Sequence, residues 1–259
     1  MNPVMEALLL GLCGALLAAG VVVAWHRFRP GARDGDCEED SGDTVAEYMS
    51  MMIALLYAML LGLALVTVWD LRAGAGSSTA DEAGALHQMT VLAEGLPPEQ
   101  RLRVEGLAQQ YAEHVVREEW PRMNRQEDLG DTGWDMLRRM RADAAAPPDA
   151  TPAQQVTALE LLTQLGTLDE ARRGREASAQ DSLSPVLWVG LVVGAVLSVC
   201  ILFFFGIGRS GSQLVMAMGM VALTVFLGYL IHQLSIPFGD VAGVSTDPFT
   251  RYFSVPGAG

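Results

Sequence analysis

Hydrophobic residues along the chain fall into four long blocks that polar segments separate. One of these blocks, YMSMMIALLYAMLLGLALVTVW, runs from Tyr48 to Trp69 and contains no charged side chain. A helix of that length, at ~1.5 Å per residue, crosses a hydrocarbon layer of about 30 Å. The pattern therefore predicts a membrane-spanning helix in this part of the chain.

The other three blocks have the same character, and together they predict an all-α membrane protein with four spans. We expect the spans at about residues 4–25, 47–69, 184–207 and 212–234. Two membrane hairpins, 1–70 and 182–240, would then flank a soluble domain at 71–181 and precede a tail at 241–259. A cleaved signal peptide is the alternative for the first block. Glu6 and the lack of basic residues before that block favour an uncleaved span.

The segment between spans two and three predicts helices only, because no stretch alternates with a period of two. Four helix starts are indicated, at Thr79 with Glu82 as its capping-box partner, at Pro97-Pro98, at Asp131 or Thr132, and at Thr151-Pro152. Pro121 is expected to end or kink the second of these helices. The apolar face of the fourth helix is expected at Leu159, Leu162, Leu165 and Leu168.

The net charge of −13 argues against nucleic acid as a partner. All 17 basic residues are arginine. Arg172, Arg173 and Arg175 stand just before the third span, where a helix C-terminus and lipid phosphates both favour cations. The arginines near membrane ends divide four against five between the two sides, so they do not fix the orientation. An even number of spans places both termini and the soluble domain on one side of a cell membrane.

No pattern of residues predicts catalysis, a cofactor or a metal site. The sequence contains none of the motifs typical of hydrolases, nucleotide-binding loops or dinucleotide-binding turns. The acidic loop that begins at Asp34 invites a calcium interpretation. An EF-hand there would need glycine where Glu39 stands and glutamate where Val45 stands. We therefore expect a solvated acidic loop, and His114 with Glu118 is expected to form a solvated surface contact.

One face of span two carries small and hydroxyl-bearing side chains. Its members, taken at helical spacing, are Ser50, Ile53, Tyr57, Leu60, Ala64 and Thr67. Such a face is typical either of helix packing or of a water-filled pore. The interiors of all four spans lack charge, which disfavours proton-coupled transport and leaves a passive pore in an oligomer. In the third span, Gly190 and Gly194 form a close-packing motif.

Short motifs spread over residues 46–240 resemble those of the bacterial bestrophin-like membrane protein family of unknown function. The matching stretches are ALLYA (54–58), VWD (68–70), DEAGAL (81–86), EGLP (94–97), Tyr111, VVREEWP (115–121), DEARR (169–173) and PFG (237–239). The resemblance marks a set of positions without assigning them a role. They are Trp69, Asp70, Glu82, Glu119, Trp120, Pro121, Asp169, Arg172, Arg173, Pro237 and Phe238.

A more distant resemblance links the chain to bestrophins, which are pentameric anion channels with a pore lined by span two. It implies a homo-oligomeric channel for inorganic ions, with the six span-two residues as pore-lining candidates and the soluble domain in the cytosol. No calcium-binding pattern of bestrophins is present. The alternative is a membrane-anchored sensor or scaffold whose acidic helical domain binds a partner without transport.

Overall fold

A computed structural model describes residues 40–146, 148–181, 183–205, 211–239 and 243–255 of the chain. Every regular element in these residues is helical. The helices are α1 (Asp40–Leu92), α2 (Pro98–His114), α3 (Trp120–Asn124), α4 (Thr132–Asp143), α5 (Pro152–Gln180), α6 (Pro185–Phe205), α7 (Gly211–Leu234) and α8 (Asp247–Tyr252). A 3₁₀ turn covers Ala93–Gly95, and a π-helical turn covers Val115–Glu119. The predicted first span and most of the acidic loop lie outside the described residues.

The helix of span two does not end at Trp69 but continues as α1 to Leu92. The predicted helix start at Thr79 is therefore wrong. Thr79 lies in the middle of α1, where its hydroxyl donates to the carbonyl of Ala75, one turn earlier. Its partner Glu82 is fully buried and caps nothing. A threonine that bonds back to the preceding turn is compatible with a helix interior, so the capping pattern was misleading here.

Pro121 does not end its helix. The chain runs from α2 through the π-helical turn into α3, and the N–H of Trp120 donates to the carbonyl of Val115, five residues earlier. Proline lacks an N–H and its ring clashes with the carbonyl four residues before it. The wider π turn lies immediately before Pro121, and the helical path goes on to Asn124. Such turns occur frequently at functional sites.

The other helix starts are confirmed. Pro98 opens α2 and Asp131 is the N-cap of α4. Thr151 forms a complete capping box with Gln154 at the start of α5. Only part of the predicted apolar face of α5 is correct. Leu165 and Leu168 are buried, whereas Leu159 is 67% exposed and Leu162 is also exposed. The buried face uses Leu161 instead.

The chain divides into two compact units. The first comprises Met1–Val68 and Leu183–Gln233, and the second comprises Trp69–Ser182 and Leu234–Gly259. The second unit has a continuous hydrophobic core to which α1, α2, α4 and α5 all contribute, for example through Leu86, Ala108, Met140 and Leu165. Phe249 of α8 is fully buried in the same core, so the C-terminal residues are part of this unit.

In the first unit, two glycines of α6 face side chains of α1. A Cβ added at Gly194 would lie 2.4 Å from Cδ2 of Tyr57, and one added at Gly190 would lie 3.3 Å from a methyl of Leu60. Small residues let membrane helices approach closely. By length and composition, described stretches within Tyr48–Gly95 and Pro152–Ile201 are apolar enough to cross a membrane, and a shorter apolar helix covers Met218–Leu234.

Candidate functional site

Charged side chains are buried together inside the second unit. Glu82 of α1, Glu119 of the π-helical turn, and Arg172 and Arg175 of α5 each have no exposed surface. Tyr111 of α2 is buried among them. We call these five residues the buried ion cluster. Burying a charge in a protein interior is costly unless it is paired and hydrogen-bonded. The two glutamates and two arginines balance in formal charge.

Arg175 joins the two glutamates. Its Nε donates to Oε2 of Glu82, and its Nη2 donates to Oε1 of Glu82 at 2.9 Å, so the pair is bidentate. The same Nη2 also donates to Oε2 of Glu119 at 2.7 Å. Nη1 contacts the sulfur of Met123 at 3.2 Å. Arginine presents its donors in a rigid planar fork. One guanidinium therefore ties together α1, α5, α3 and the π-helical turn.

Arg172 makes a second bidentate pair with Glu119. Its Nη2 donates to Oε1 at 2.6 Å and its Nη1 to Oε2 at 3.1 Å. Nη1 also donates to the Tyr111 hydroxyl at 3.0 Å, and that hydroxyl donates to Oε1 of Glu82 at 2.5 Å. The guanidinium carbon stands 5.1 Å from the ring centroid of Trp134. Tyr111 therefore closes a network that links the two ion pairs.

Gly133 makes room for this network. A Cβ added there would lie 2.4 Å from Nη2 of Arg172. The guanidinium is held on Glu119 and cannot move aside without breaking that pair. Glycine is thus required at this position of the first turn of α4.

His114 lies beside the buried ion cluster and is itself nearly buried. Its Nδ1 is 3.3 Å from Oε2 of Glu118, and its Nε2 is 3.4 Å from Oε1 of Glu119. The contact with Glu119 has an ion-pair distance but not the geometry of a hydrogen bond. The predicted solvated contact is therefore wrong for the imidazole, which is buried, although Glu118 itself is 61% exposed.

The network determines the charge state of its members. Burial alone raises the pKa of Glu119, but His114, Arg175 and Arg172 outweigh it and hold the pKa of that carboxyl well below its ordinary value. Burial lowers the pKa of Arg175, while Glu82 and Glu119 raise it by more. Burial and the Glu82 carboxylate raise the pKa of Tyr111 well above its ordinary value. At neutral pH Glu119 and Arg175 are therefore ionised, and Tyr111 is neutral.

This arrangement is suited to holding four elements together and not to catalysis or ligand binding. Every oxygen of the two carboxylates accepts from an arginine or from Tyr111, and none of the cluster residues has exposed surface. Within the described residues, no group of three or more histidine, cysteine or acidic side chains has the arrangement of a metal site.

Of the positions that the resemblance marked, Glu82, Glu119 and Arg172 meet in the cluster. Arg173 points outward, with 67% of its side chain exposed, and lies over the Trp134 ring. Asp169 forms an ion pair with Arg141. The remaining marked positions are Trp120 and Phe238, whose rings pack edge to face, the buried Pro237, the exposed Pro121, and Trp69 and Asp70, which are exposed on α1.

The sequence prediction missed the burial of Arg172 and Arg175. Both were interpreted as surface cations near a membrane, whereas they are fully buried. A signal was present, since Arg172 and Arg175 are three residues apart on the helix face that also bears Leu165 and Leu168. Positions three and four apart share a helix face. Their partner Glu82 is 93 residues away, which no local pattern reveals.

The span-two face is the side of α1 with the least exposed surface in the first unit. Tyr57 is 9% exposed and Ala64 is completely buried. Ser50, Ile53, Leu60 and Thr67 are partly exposed. The opposite side, which includes Met51, Leu55 and Met59, is at least 63% exposed at those three residues. Gly190 and Gly194 pack against Leu60 and Tyr57 of the partly buried side.

A family model described as a bestrophin-like domain matches residues 13–249. None of the curated proteins matches the sequence. Two crystal structures are similar to this fold, each with a TM-score of 0.65 and 12% sequence identity. One is a mutant of a bacterial bestrophin homolog from Klebsiella pneumoniae, aligned over 96% of this chain and 95% of that chain. The other is a variant membrane protein, aligned over 97% and 96%.

Proposed function

The chain belongs to the bestrophin-like family, and from that membership we propose that it forms an oligomeric channel through which inorganic ions cross a cell membrane passively. The family match over residues 13–249 is the observation that carries the proposal. Span two would line the pore. A single protomer with few spans encloses little volume, so several copies are needed around a common axis.

The composition of span two supports a passive pore. Tyr48 to Trp69 contains no carboxylate, histidine or basic side chain, whereas ion-coupled transporters place carboxylates or arginines within the bilayer. Apolar and hydroxyl side chains are sufficient for a pore that gates by excluding water. The proposed channel therefore needs no coupling ion.

Burial narrows the set of pore-lining residues. Assembly of subunits removes exposed surface and adds none. Tyr57 and Ala64 have almost no exposed surface in one protomer. In this conformation they therefore cannot line the pore and instead pack against other residues of the same protomer. Ser50, Ile53, Leu60 and Thr67 keep surface that water can reach. We assign the wall to these four residues and place the second unit in the cytosol by analogy with bestrophins.

Cysteine accessibility tests this assignment. Cys13, Cys37 and Cys200 would first be replaced by serine, and single cysteines then introduced by Ser50→Cys, Thr67→Cys and Ala64→Cys. In liposomes, a water-soluble thiol reagent should label the first two sites and reduce ion flux, while the third is protected. Asp149→Cys, at an exposed position of the second unit, is the positive control. Protection of Ser50→Cys and Thr67→Cys beside a labelled control would rule out this pore wall.

The alternative is a membrane-anchored scaffold, and one observation favours it. The span-two face that suggested a pore is also the face that packs on Gly190 and Gly194, so helix packing accounts for it without a pore. A scaffold predicts no flux from any preparation and protection of all three span-two cysteines.

A further inference from the structure

An open groove lies on the surface of the second unit between α2 and α4, and no residue of the buried ion cluster lines it. Its volume is about 460 Å³, within the range of about 300–1,000 Å³ that is usual for small-molecule sites. Side chains three and four positions apart share a helix face, so one face of each helix forms one wall. The lining residues are Leu102, Arg103, Gly106, Leu107 and Gln110 of α2, and Arg139, Ala142 and Asp143 of α4.

The two walls are fixed to each other at one end of the groove. The buried side chain of Gln100 in α2 donates to the backbone carbonyl of Asp143 at 2.5 Å and to that of Ala145 at 2.9 Å. Nε of Arg103 donates to Oδ1 of Asp143 at 3.0 Å. The groove is therefore formed before any ligand arrives, and a preformed site avoids the entropic cost of ordering its walls on binding.

Most of the groove surface is apolar. Leu102 is 67% exposed, and Leu107 and Ala142 add apolar surface beside it. Gly106 leaves space in the groove, because an added Cβ there would meet nothing within 4 Å. Glycine is unfavourable in a helix interior, and here no contact within 4 Å requires it. The groove therefore favours a ligand with an apolar body.

Two polar side chains of the groove have no partner in the part of the chain that the structure describes. They are the exposed guanidinium of Arg139 and the exposed carboxamide of Gln110. Arg103, by contrast, is paired with Asp143, so the groove keeps one uncompensated positive charge at Arg139. Arginine donates to carboxylates through a planar fork of N–H groups. An anionic group is therefore favoured next to Arg139.

We propose that this groove binds a small organic anion, namely a carboxylate with a single apolar body. The carboxylate pairs with Arg139, Gln110 supplies a second donor, and the apolar body lies against Leu102 and Gly106. Gln110 and Leu102 are eight residues apart on one face of α2, which separates them by ~12 Å along the helix axis. The ligand is thus charged at one end and apolar along its length.

The size of the groove distinguishes between two sources of such an anion. A volume of about 460 Å³ suits one drug-sized body, and the two acyl chains of a bilayer phospholipid would not fit. The occupant is therefore a free carboxylate from solution. This inference goes beyond the proposed function, because it concerns the second unit alone and holds whether or not the protein conducts ions.

Isothermal titration calorimetry of octanoate with the full-length protein in nanodiscs of neutral lipid tests the proposal. Octanoate should bind saturably. Octanamide lacks the charge and acetate lacks the apolar body, so each should bind at least about tenfold more weakly. Equal binding of either compound would overturn the proposal. Absence of saturable octanoate binding would also overturn it, and is the result expected if a second copy of the chain covers the groove.

Arg139→Met shows whether the unpaired guanidinium holds the carboxylate. Octanoate binding should weaken by about tenfold or more, because a hydrogen bond to a charged group is lost. Arg138→Met is the matched control, since Arg138 is exposed on the same helix but does not line the groove. It should bind octanoate as wild type does. Equal weakening in the two variants would indicate general charge attraction and would overturn the site.

Gly106→Leu shows whether the ligand occupies the groove itself. The new side chain extends into open space, so it should abolish octanoate binding without lowering the unfolding temperature, because leucine favours a helix more than glycine does. Gly166→Leu of α5 is the matched control, since an added Cβ there also meets nothing within 4 Å and the position lies outside the groove. Unchanged octanoate binding in Gly106→Leu would overturn the proposal.

Nanodiscs that contain an anionic phospholipid test the source of the anion. A free carboxylate from solution predicts that octanoate still binds and that Arg139→Met still weakens this binding. Loss of octanoate binding in the anionic nanodiscs, beside saturable binding in the neutral ones, would show that lipid headgroups occupy the groove. That result would overturn the assignment to a free carboxylate.

Discussion

Arg175 is the residue on which the buried ion cluster depends most. It contacts both glutamates and the sulfur of Met123 with no exposed surface of its own. Replacing a whole buried ion network with apolar residues can be neutral or even stabilising, but removing one partner leaves an uncompensated charge. Removing any one charged residue of the buried ion cluster should therefore lower the free energy of unfolding, because its partners stay buried without a counter-charge.

Arg175→Met should destabilise the protein by about 3–5 kcal/mol, because it leaves Glu82 and Glu119 buried with a charge deficit. Arg173→Met is the matched control on the same helix. Its side chain is 67% exposed, so its effect should stay within about 0.5 kcal/mol. Thermal unfolding in detergent, followed by tryptophan fluorescence, measures both. Equal shifts in the two variants would show that the buried network contributes nothing.

Acid should weaken the fold through Glu119. The pKa of its carboxyl is lowered in the folded protein, so the unfolded state binds the proton first as pH falls. The stabilisation is therefore complete above the unfolded pKa of about 4.3 and is lost as pH falls through the folded pKa. Glu119→Gln should be less stable than wild type at neutral pH, and the difference should narrow below about pH 4.

Measuring the unfolding temperatures of wild type and Glu119→Gln between neutral pH and about pH 3 tests whether the stability difference narrows in acid. Glu160→Gln, at an exposed position of α5, is the control and should follow the wild-type curve. Parallel curves for wild type and Glu119→Gln over the whole range would contradict a lowered pKa at Glu119.

At the scale of elements, the close approach of α1 and α6 in the first unit depends on Gly194. Gly194→Ala would place a methyl 2.4 Å from Cδ2 of Tyr57, and overpacking of this kind costs about 1–3 kcal/mol. Gly219→Ala of α7 has nothing within 4 Å and should lack this cost.

Thermal unfolding in detergent compares the two alanine variants with a double variant, Tyr57→Ala with Gly194→Ala. Removing the ring removes the clash, so the double variant should be more stable than the sum of its single changes predicts. Strict additivity would show that these two side chains do not meet.

The starts of α2, α4 and α5 were predictable because the signals are local. Thr151 and Gln154 cap each other within one turn, and Pro98 follows from the fixed backbone angle of proline at a helix start. The continuation of α1 past Trp69 was not predictable. Thr79 and Glu82 have the spacing of a capping box, but Thr79 bonds back to Ala75 and Glu82 pairs with the distant Arg175. Glu82 meets Arg175 across 93 residues, and sequence spacing carries no information on that encounter.

The π-helical turn shows the same limit. The sequence predicted that Pro121 would end or kink the helix, and it did not predict a wider turn. Widening lets the helical path continue through Glu119 into α3, and it is Glu119 that holds both buried arginines. The choice between these outcomes depends on Arg172 and Arg175 of another helix and therefore on tertiary structure.

At the scale of the whole molecule, the central claim is that copies of this chain surround a pore. The family match and the uncharged span two support it. The net charge of −13 makes the selectivity a separate question, because a negative protein field favours cations near the pore mouth. Exchange of chloride or of sodium in the same assay would identify the conducted ion.

Ion flux from liposomes that contain the purified full-length protein tests this claim most directly, together with the number of subunits in detergent. We predict salt-dependent flux from a symmetric oligomer, and a reduction of that flux when Ser50→Cys or Thr67→Cys reacts with a thiol reagent. Absence of flux from a protein that remains folded, with a monomer or dimer in detergent, would contradict the channel and favour the membrane-anchored scaffold.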